Sequence, residues 1–202
     1  SKEVLIEPLV AGAALRLRRP VRLVLTRRED IAATDPAQAV TTRLRIGAER
    51  DGRLTSLQAD MVYDAGAFPD ASWEWFAAGL ISGPYRWPAI DVRSAGVRTN
   101  RFGSGNYRAP SGPQGLFALE SLLDELAATL GIDPIELRLR NLVAEGDPMT
   151  GGDRWPRIGV AECLEAVRAL PLWVERRALP AGEGVGVAAG VGRNSMQPAA
   201  AT

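Results

Sequence analysis

"NYRAPSGPQGLFALESLLDELAATLGIDPIELRLRN", residues 106–141, is the stretch from which the fold is read. Leu116, Leu119, Leu123, Leu126 and Leu130 recur at spacings of three and four, so they share one face of a helix. Glu120, Asp124 and Glu125 fall off that stripe, and Gly131 stands where a helix ends. Ser111 with Gln114 three residues later has the pattern of a capping box, which makes Gln114 the expected capping partner of Ser111. Gly112 and Pro113 occupy the first turn, where a missing proline N–H costs nothing. Asp133-Pro134 with Glu136 repeats the box and opens a second helix, "PIELRLRNL". Glu120 and Asp124 are one turn apart and could mimic a carboxylate pair for acid–base work; a solvated helix face is the simpler expectation.

The run into this helix, "GSGNYRAPSGPQG" at 103–115, holds an arginine on a turn. Arg108 precedes a helix N-terminus, where unpaired backbone N–H groups and the helix dipole favour an anion or an oxo group. Gly103, Gly105 and Gly112 permit close backbone approach. The residues alone leave two readings open, an anion site and a capped loop with a surface arginine. No Gly-Lys-Ser/Thr follows, and no clean GxGxxG follows a strand.

Outward from this segment, helical and extended patterns alternate. "TTRLRIGAERDGRLTSLQADMVYDAG" reads as a hairpin: Leu44 and Ile46 alternate with Arg43 and Arg45, Asp51-Gly52 supplies the turn, and Leu57, Ala59, Met61 and Tyr63 resume the period of two. "ASWEWFAAGLISGPYRWP" predicts a helix closed by Gly83-Pro84, and "AIDVRSAGVRTN" a further strand. Val21–Leu25 predicts a core strand followed by a charged turn. Leu5, Leu9, Ala13 and Leu17 predict an N-terminal helix that stops at Pro20, and a third later helix is expected from Val160 to Leu170. The expected class is α+β, a mixed or antiparallel sheet with packed helices. Cys163 is expected to be inert packing, and Asp64, Gly66 and Asn100 to serve turn geometry.

Composition narrows the chemistry. The 202 residues carry 24 acidic and 24 basic side chains, so no global field favours nucleic acid or an anionic membrane. The basic cluster from Arg16 to Arg22 lacks the interleaved aromatics of a nucleic-acid groove and suits a helix end or a subunit contact. A single cysteine and no histidine remove disulfide frameworks, the common zinc and copper sites, and Ser-His-Asp or Cys-His catalysis. No apolar run reaches membrane-spanning length, no signal peptide is evident, and the chain reads as soluble. With no initiator methionine and a Gly-rich, strand-like segment breaking off at Thr202, the chain reads as a fragment.

Residues 106–141 resemble a signature of the large, molybdenum-cofactor-binding subunit of the xanthine dehydrogenase and aldehyde oxidase family. "NYRAP", "GPQG", "FALES", "DELA" and "GIDPIELRLRN" stand in that order, residues 1–30 are similar to the segment after that family's "GGGFG" loop, and "DGRLTSLQADMVYDAGAF" is similar to its next hairpin. The resemblance implies that residues 1–181 form most of the first cofactor-binding domain and that 182–202 begin the second with a strand. It implies a molybdenum–pterin cofactor, molybdopterin or its cytosine dinucleotide form, whose own sulfurs hold the metal, so that no side chain ligates it directly. It further implies hydroxylation of an aldehyde or an aromatic heterocycle with oxygen from water.

By position, the resemblance places Tyr107, Arg108 and Ala109 beside the cofactor and Glu3, Phe76 and Pro110 in the substrate pocket. Pro110 stands where purine-oxidising members carry a stacking aromatic, and Phe76 about where they carry an arginine; both point to a less polar substrate. Trp73, Trp75 and Phe76 could line the same pocket, although ordinary core packing on a helix is the favoured reading for all three. No catalytic residue is expected in the chain, because the family's glutamate would lie beyond Thr202. Iron–sulfur clusters and FAD would sit on other domains or subunits, in a dimer of heteromers, with the cytoplasm as default compartment. By itself this stretch would be inactive. Two alternatives remain, a cofactor-free scaffold for subunit interaction and a small anion-binding domain complete in itself.

Overall fold

The computed structural model describes residues 6–34, 36–67, 74–105, 107–149 and 152–192. Glu3 and Trp73, named above, lie outside the described residues.

A hairpin forms the centre. Strand β1 (Val40–Ala48) pairs antiparallel with β2 (Leu54–Gly66), and the period of two puts Leu57, Ala59, Met61 and Tyr63 on one buried face. Helix α3 (Glu74–Leu80) then leads to β3 (Ala89–Arg98), which pairs parallel to β2, giving the sheet order β1-β2-β3. The sheet is mixed because a crossover through a helix returns the chain in the same direction. Gly83, with φ +56, closes the segment after α3 as its sequence predicts.

Helix α4 (Gly112–Leu130) and helix α5 (Pro134–Asn141) cover the buried face. Leu119, Leu123 and Ala127 of α4 join Ile135 and Leu137 of α5, Ala77 and Ile81 from the α3 region, and the hairpin residues in one core. Gly131 ends α4 in the left-handed region, and Asp133 caps α5 by accepting from the N–H groups of Ile135 and Glu136. Asn141 ties α5 to the hairpin: its Oδ1 accepts from Leu54 N at 2.8 Å, and its Nδ2 donates to the carbonyls of Gly52 and Leu137.

Several expectations are corrected. Val21–Leu25 is not a strand: these residues pair with neither sheet edge, and Leu23 and Val24 are exposed. Thr26 and Glu29 instead form a capping box that opens helix α2 (Arg27–Ala33). Helix α1 (Glu7–Leu17) forms as expected but buries no residue, and Arg18 caps it at φ 50. Helix α6 (Val160–Arg168) buries Leu164 flanked by the part-buried Val160 and Val167; Cys163 lies off that line and is exposed, not packed. Helix α7 (Pro171–Val174) follows, and its Trp173 packs into the core.

Glu120 is buried, contrary to the expected solvated face. Its carboxylate accepts from Tyr85 Oη at 2.7 Å, from Arg138 Nε at 2.8 Å and from Ala189 N at 2.8 Å. The Arg138 side chain has no exposed surface and also reaches Asp124 at 2.8 Å. Burial opposes the arginine's charge, yet Glu120, Tyr85 and Asp124 outweigh it and hold its pKa above the usual value. Burial first, and then Glu120, push the Tyr85 hydroxyl well above its usual range, so it stays a donor. The strand expected from about Gly182 does not form among the described residues. Residues 183–192 carry no regular structure; Ala189 docks on Glu120 while Val185 and Val187 pack against the core.

Candidate cofactor-facing loop

The loop before α4 is built from two distant pieces of chain. Gly105 N donates to Pro36 O at 3.1 Å, and Ser104 Oγ donates to Asp64 O at 3.2 Å. Asp64 is itself fixed, its carboxylate accepting from Thr99 Oγ1 and Gly66 N; the Thr99 bond leads in holding its pKa below the usual value. Beneath the loop, Tyr63 Oη lies 3.5 Å from Ser111 O. Burial, helped by Glu74, pushes that phenol up to about 12, so it stays protonated and donates.

Between these anchors the backbone is strained. Ala109 has φ 57 and Ser111 φ 60, two non-glycine residues in the left-handed region flanking Pro110. Each such residue costs about 1–2 kcal/mol, and it persists only where surrounding contacts hold it. The conformation turns the Arg108–Ala109 segment outward at the head of α4. Among the described residues, none accepts from the backbone N–H of Arg108 or Ala109, and no carboxylate pairs with the Arg108 side chain.

The Ser111–Gln114 capping box does not form. Ser111 has no side-chain cap bond; its Oγ donates to Gln38 Oε1 at 3.1 Å, while Gln114 Nε2 donates to Gln38 O at 3.1 Å. The left-handed backbone at Ser111 aims its hydroxyl away from the N–H groups of the first turn, and Gln38 takes both polar side chains instead. Nothing periodic marks Gln38 in "DPAQAV", which is why the residues alone do not reveal it.

A cleft of about 160 Å³ opens at this point, bounded by Gln38, Gly105, Tyr107, Arg108, Ala109 and Ser111. Tyr107 is 72% exposed at its rim. Pro110 is adjacent but does not line it, and Phe76 lies on α3, in edge-to-face contact with Trp75 at 5.8 Å between ring centroids. One turn beyond Phe76, Leu80 approaches Gly112 so closely that an added Cβ there would sit 3.0 Å from Leu80 Cδ1. The structure therefore brings Tyr107, Arg108 and Ala109 together and leaves Phe76 and Pro110 off the cleft. A larger cavity, about 750 Å³, is lined by Leu80, Met149, Trp155 and Val191 and by none of residues 103–115.

Chemically, the cleft is lined by two residues whose backbone N–H groups have no acceptor among the described residues and by an arginine that pairs with no carboxylate among them, a set suited to an oxo or anionic group. Among the described residues no cluster of three or more His, Cys, Asp or Glu side chains could hold a metal ion. No helix among the described residues is long and apolar enough to cross a membrane.

A profile of the molybdopterin cofactor-binding domain matches residues 1–142, including this loop. The chain is 38% identical over 182 residues to the xanthine dehydrogenase molybdenum-binding subunit of Escherichia coli O157:H7, covering 88% of this chain and 24% of that subunit. It is 35% identical over 149 residues to xanthine dehydrogenase of Emericella nidulans, covering 73% of this chain and 11% of that protein. Its fold superposes on aldehyde oxidoreductase from Desulfovibrio gigas with a TM-score of 0.75 and 28% identity, over 87% of this chain and 19% of that one. Against quinoline 2-oxidoreductase from Pseudomonas putida 86 the TM-score is 0.70 at 27% identity, over 79% and 21%. The chain spans a quarter or less of the length of each of these relatives.

Proposed function

This chain belongs to the molybdopterin cofactor-binding domain family of the xanthine dehydrogenase and aldehyde oxidase enzymes, and on that premise we propose that its 105–114 loop forms one wall of a hydroxylase's cofactor site. The observation that carries the proposal is that Arg108 and Ala109 line a cleft at the head of α4, beside strained φ angles, and that among the described residues none accepts from their backbone N–H groups. Those amides would hold an oxygen of the cofactor, with Tyr107 shaping the rim. When bound, the molybdenum–pterin group supplies the oxygen-transfer and electron-accepting chemistry. The chain's residues bind it, orient it and present fixed dipoles to it.

In the parent protein the reaction is hydroxylation of an aldehyde or an aromatic heterocycle with oxygen from water. The solved relatives named for aldehyde and quinoline substrates support both classes. No carboxylate of the described residues lines the cleft, so the proposal takes its general base from a glutamate beyond Thr202. Glu3, Phe76 and Pro110 would face substrate from further out, with Phe76 and Pro110 favouring a less polar molecule. The cofactor's nucleotide form, iron–sulfur clusters and FAD on other domains or subunits, a dimer of heteromers and a cytoplasmic site belong to the same proposal. So does a domain boundary near Gly182.

The test is turnover of the metal-loaded parent complex in ¹⁸O-labelled water, with an aliphatic aldehyde and an N-heteroaromatic as substrates. One labelled oxygen in the product of either substrate is the expected outcome. A fully loaded complex that oxidises neither, or that draws its oxygen from O₂, contradicts the proposal.

A further inference from the structure

We propose that Gln38 is the positioning residue of the cofactor-facing loop, a role that rests on the cofactor reading above. Gln38 is buried, only 6% exposed, just before β1 and far in sequence from the loop. It meets the loop at both of its polar anchors: Oε1 accepts from Ser111 Oγ, and the main-chain oxygen accepts from Gln114 Nε2, each at 3.1 Å. The neighbouring Pro36 takes the Gly105 N–H at the loop's other end. Segment 36–39 thus grips both ends of residues 105–114, and Gln38 also lines the cleft itself.

The strain on the loop gives the side chain its importance. Ser111 at φ 60 is held by Tyr63 Oη at its carbonyl and by Gln38 at its hydroxyl, and these contacts support the turn that keeps Ala109 at φ 57, exposed and lining the cleft. Removing the Gln38 acceptor leaves a buried hydroxyl unpaired and frees the turn to relax toward ordinary φ values. The Arg108 and Ala109 amides then lose their shared aim without any change to the residues that carry them. Outer groups of this kind that orient binding groups commonly change metal affinity by about 10–100-fold.

The experiment compares the parent complex with its Gln38→Leu, Gln38→Glu and Ser111→Ala variants. Molybdenum and pterin are measured per folded chain, beside the melting temperature. Leucine preserves the volume and removes the acceptor; glutamate keeps the acceptor. Expected is a roughly ten-fold or greater loss of bound metal in Gln38→Leu and a smaller loss in Ser111→Ala, with Gln38→Glu restoring loading to within about three-fold. Full loading of Gln38→Leu overturns the proposal. So does metal loss that merely tracks the unfolded fraction in all three variants. Absence of metal from the unaltered parent overturns the cofactor reading as well, whereas loading of both parent and Gln38→Leu overturns the Gln38 role alone.

Discussion

Glu120→Ala destabilises the chain by about 3–5 kcal/mol, the range for breaking a buried ion pair by removing one partner. The carboxylate collects three donors in the interior, from Tyr85, Arg138 and Ala189. Alanine leaves the Arg138 guanidinium without surface exposure and without its main counter-charge, since Asp124 alone remains and is itself half exposed. The Tyr85 hydroxyl loses its acceptor in the same place, and residues 183–192 lose the bond that docks them on α4. Denaturant titration followed by tryptophan fluorescence reads the change, because Trp173 and Trp87 both pack on this core. Glu120→Gln keeps one acceptor oxygen but puts an NH2 donor in place of the other and loses the charge, and falls between parent and alanine. An alanine variant within about 1 kcal/mol of the parent would show that Arg138 finds another partner.

The second large effect separates backbone from side chain at the cofactor-facing loop. Arg108→Lys keeps most of the molybdenum in the parent complex, because the proposed contact is the main-chain N–H, which lysine retains. Ala109→Pro loses about ten-fold or more of it. Proline's ring fixes φ near −65°, whereas Ala109 sits at +57, and proline also lacks the backbone N–H of the proposed contact. Metal analysis of both variants, normalised to folded protein by thermal melting, distinguishes the cases. Equal metal in the two would remove the backbone from the binding scheme; loss in the lysine variant alone would assign binding to the guanidinium.

What the residues alone reveal depends on the range of each interaction. The hairpin, α4 and α5 are legible because alternation, leucine spacing and turn glycines act within a few residues of one another. The loop's place before α4 is legible for the same reason. Val21–Leu25 misleads because a strand needs a partner edge, and an apolar pentad carries no information on whether one is free. The Ser111–Gln114 pattern misleads more instructively: its local pairing yields to Gln38, 73 and 76 residues away along the chain. Glu120 looks solvated until α5 brings Arg138 against it and Ala189 arrives from 69 residues later. Buried polar groups are chosen by tertiary partners, which periodicity does not encode.

The most direct test is the molybdenum and pterin content of the parent polypeptide, purified with its accompanying subunits from a host that loads related enzymes. One metal and one pterin per chain is the predicted result. Clean absence of both would contradict it and leave a scaffold whose loop before α4 is a strained turn alone.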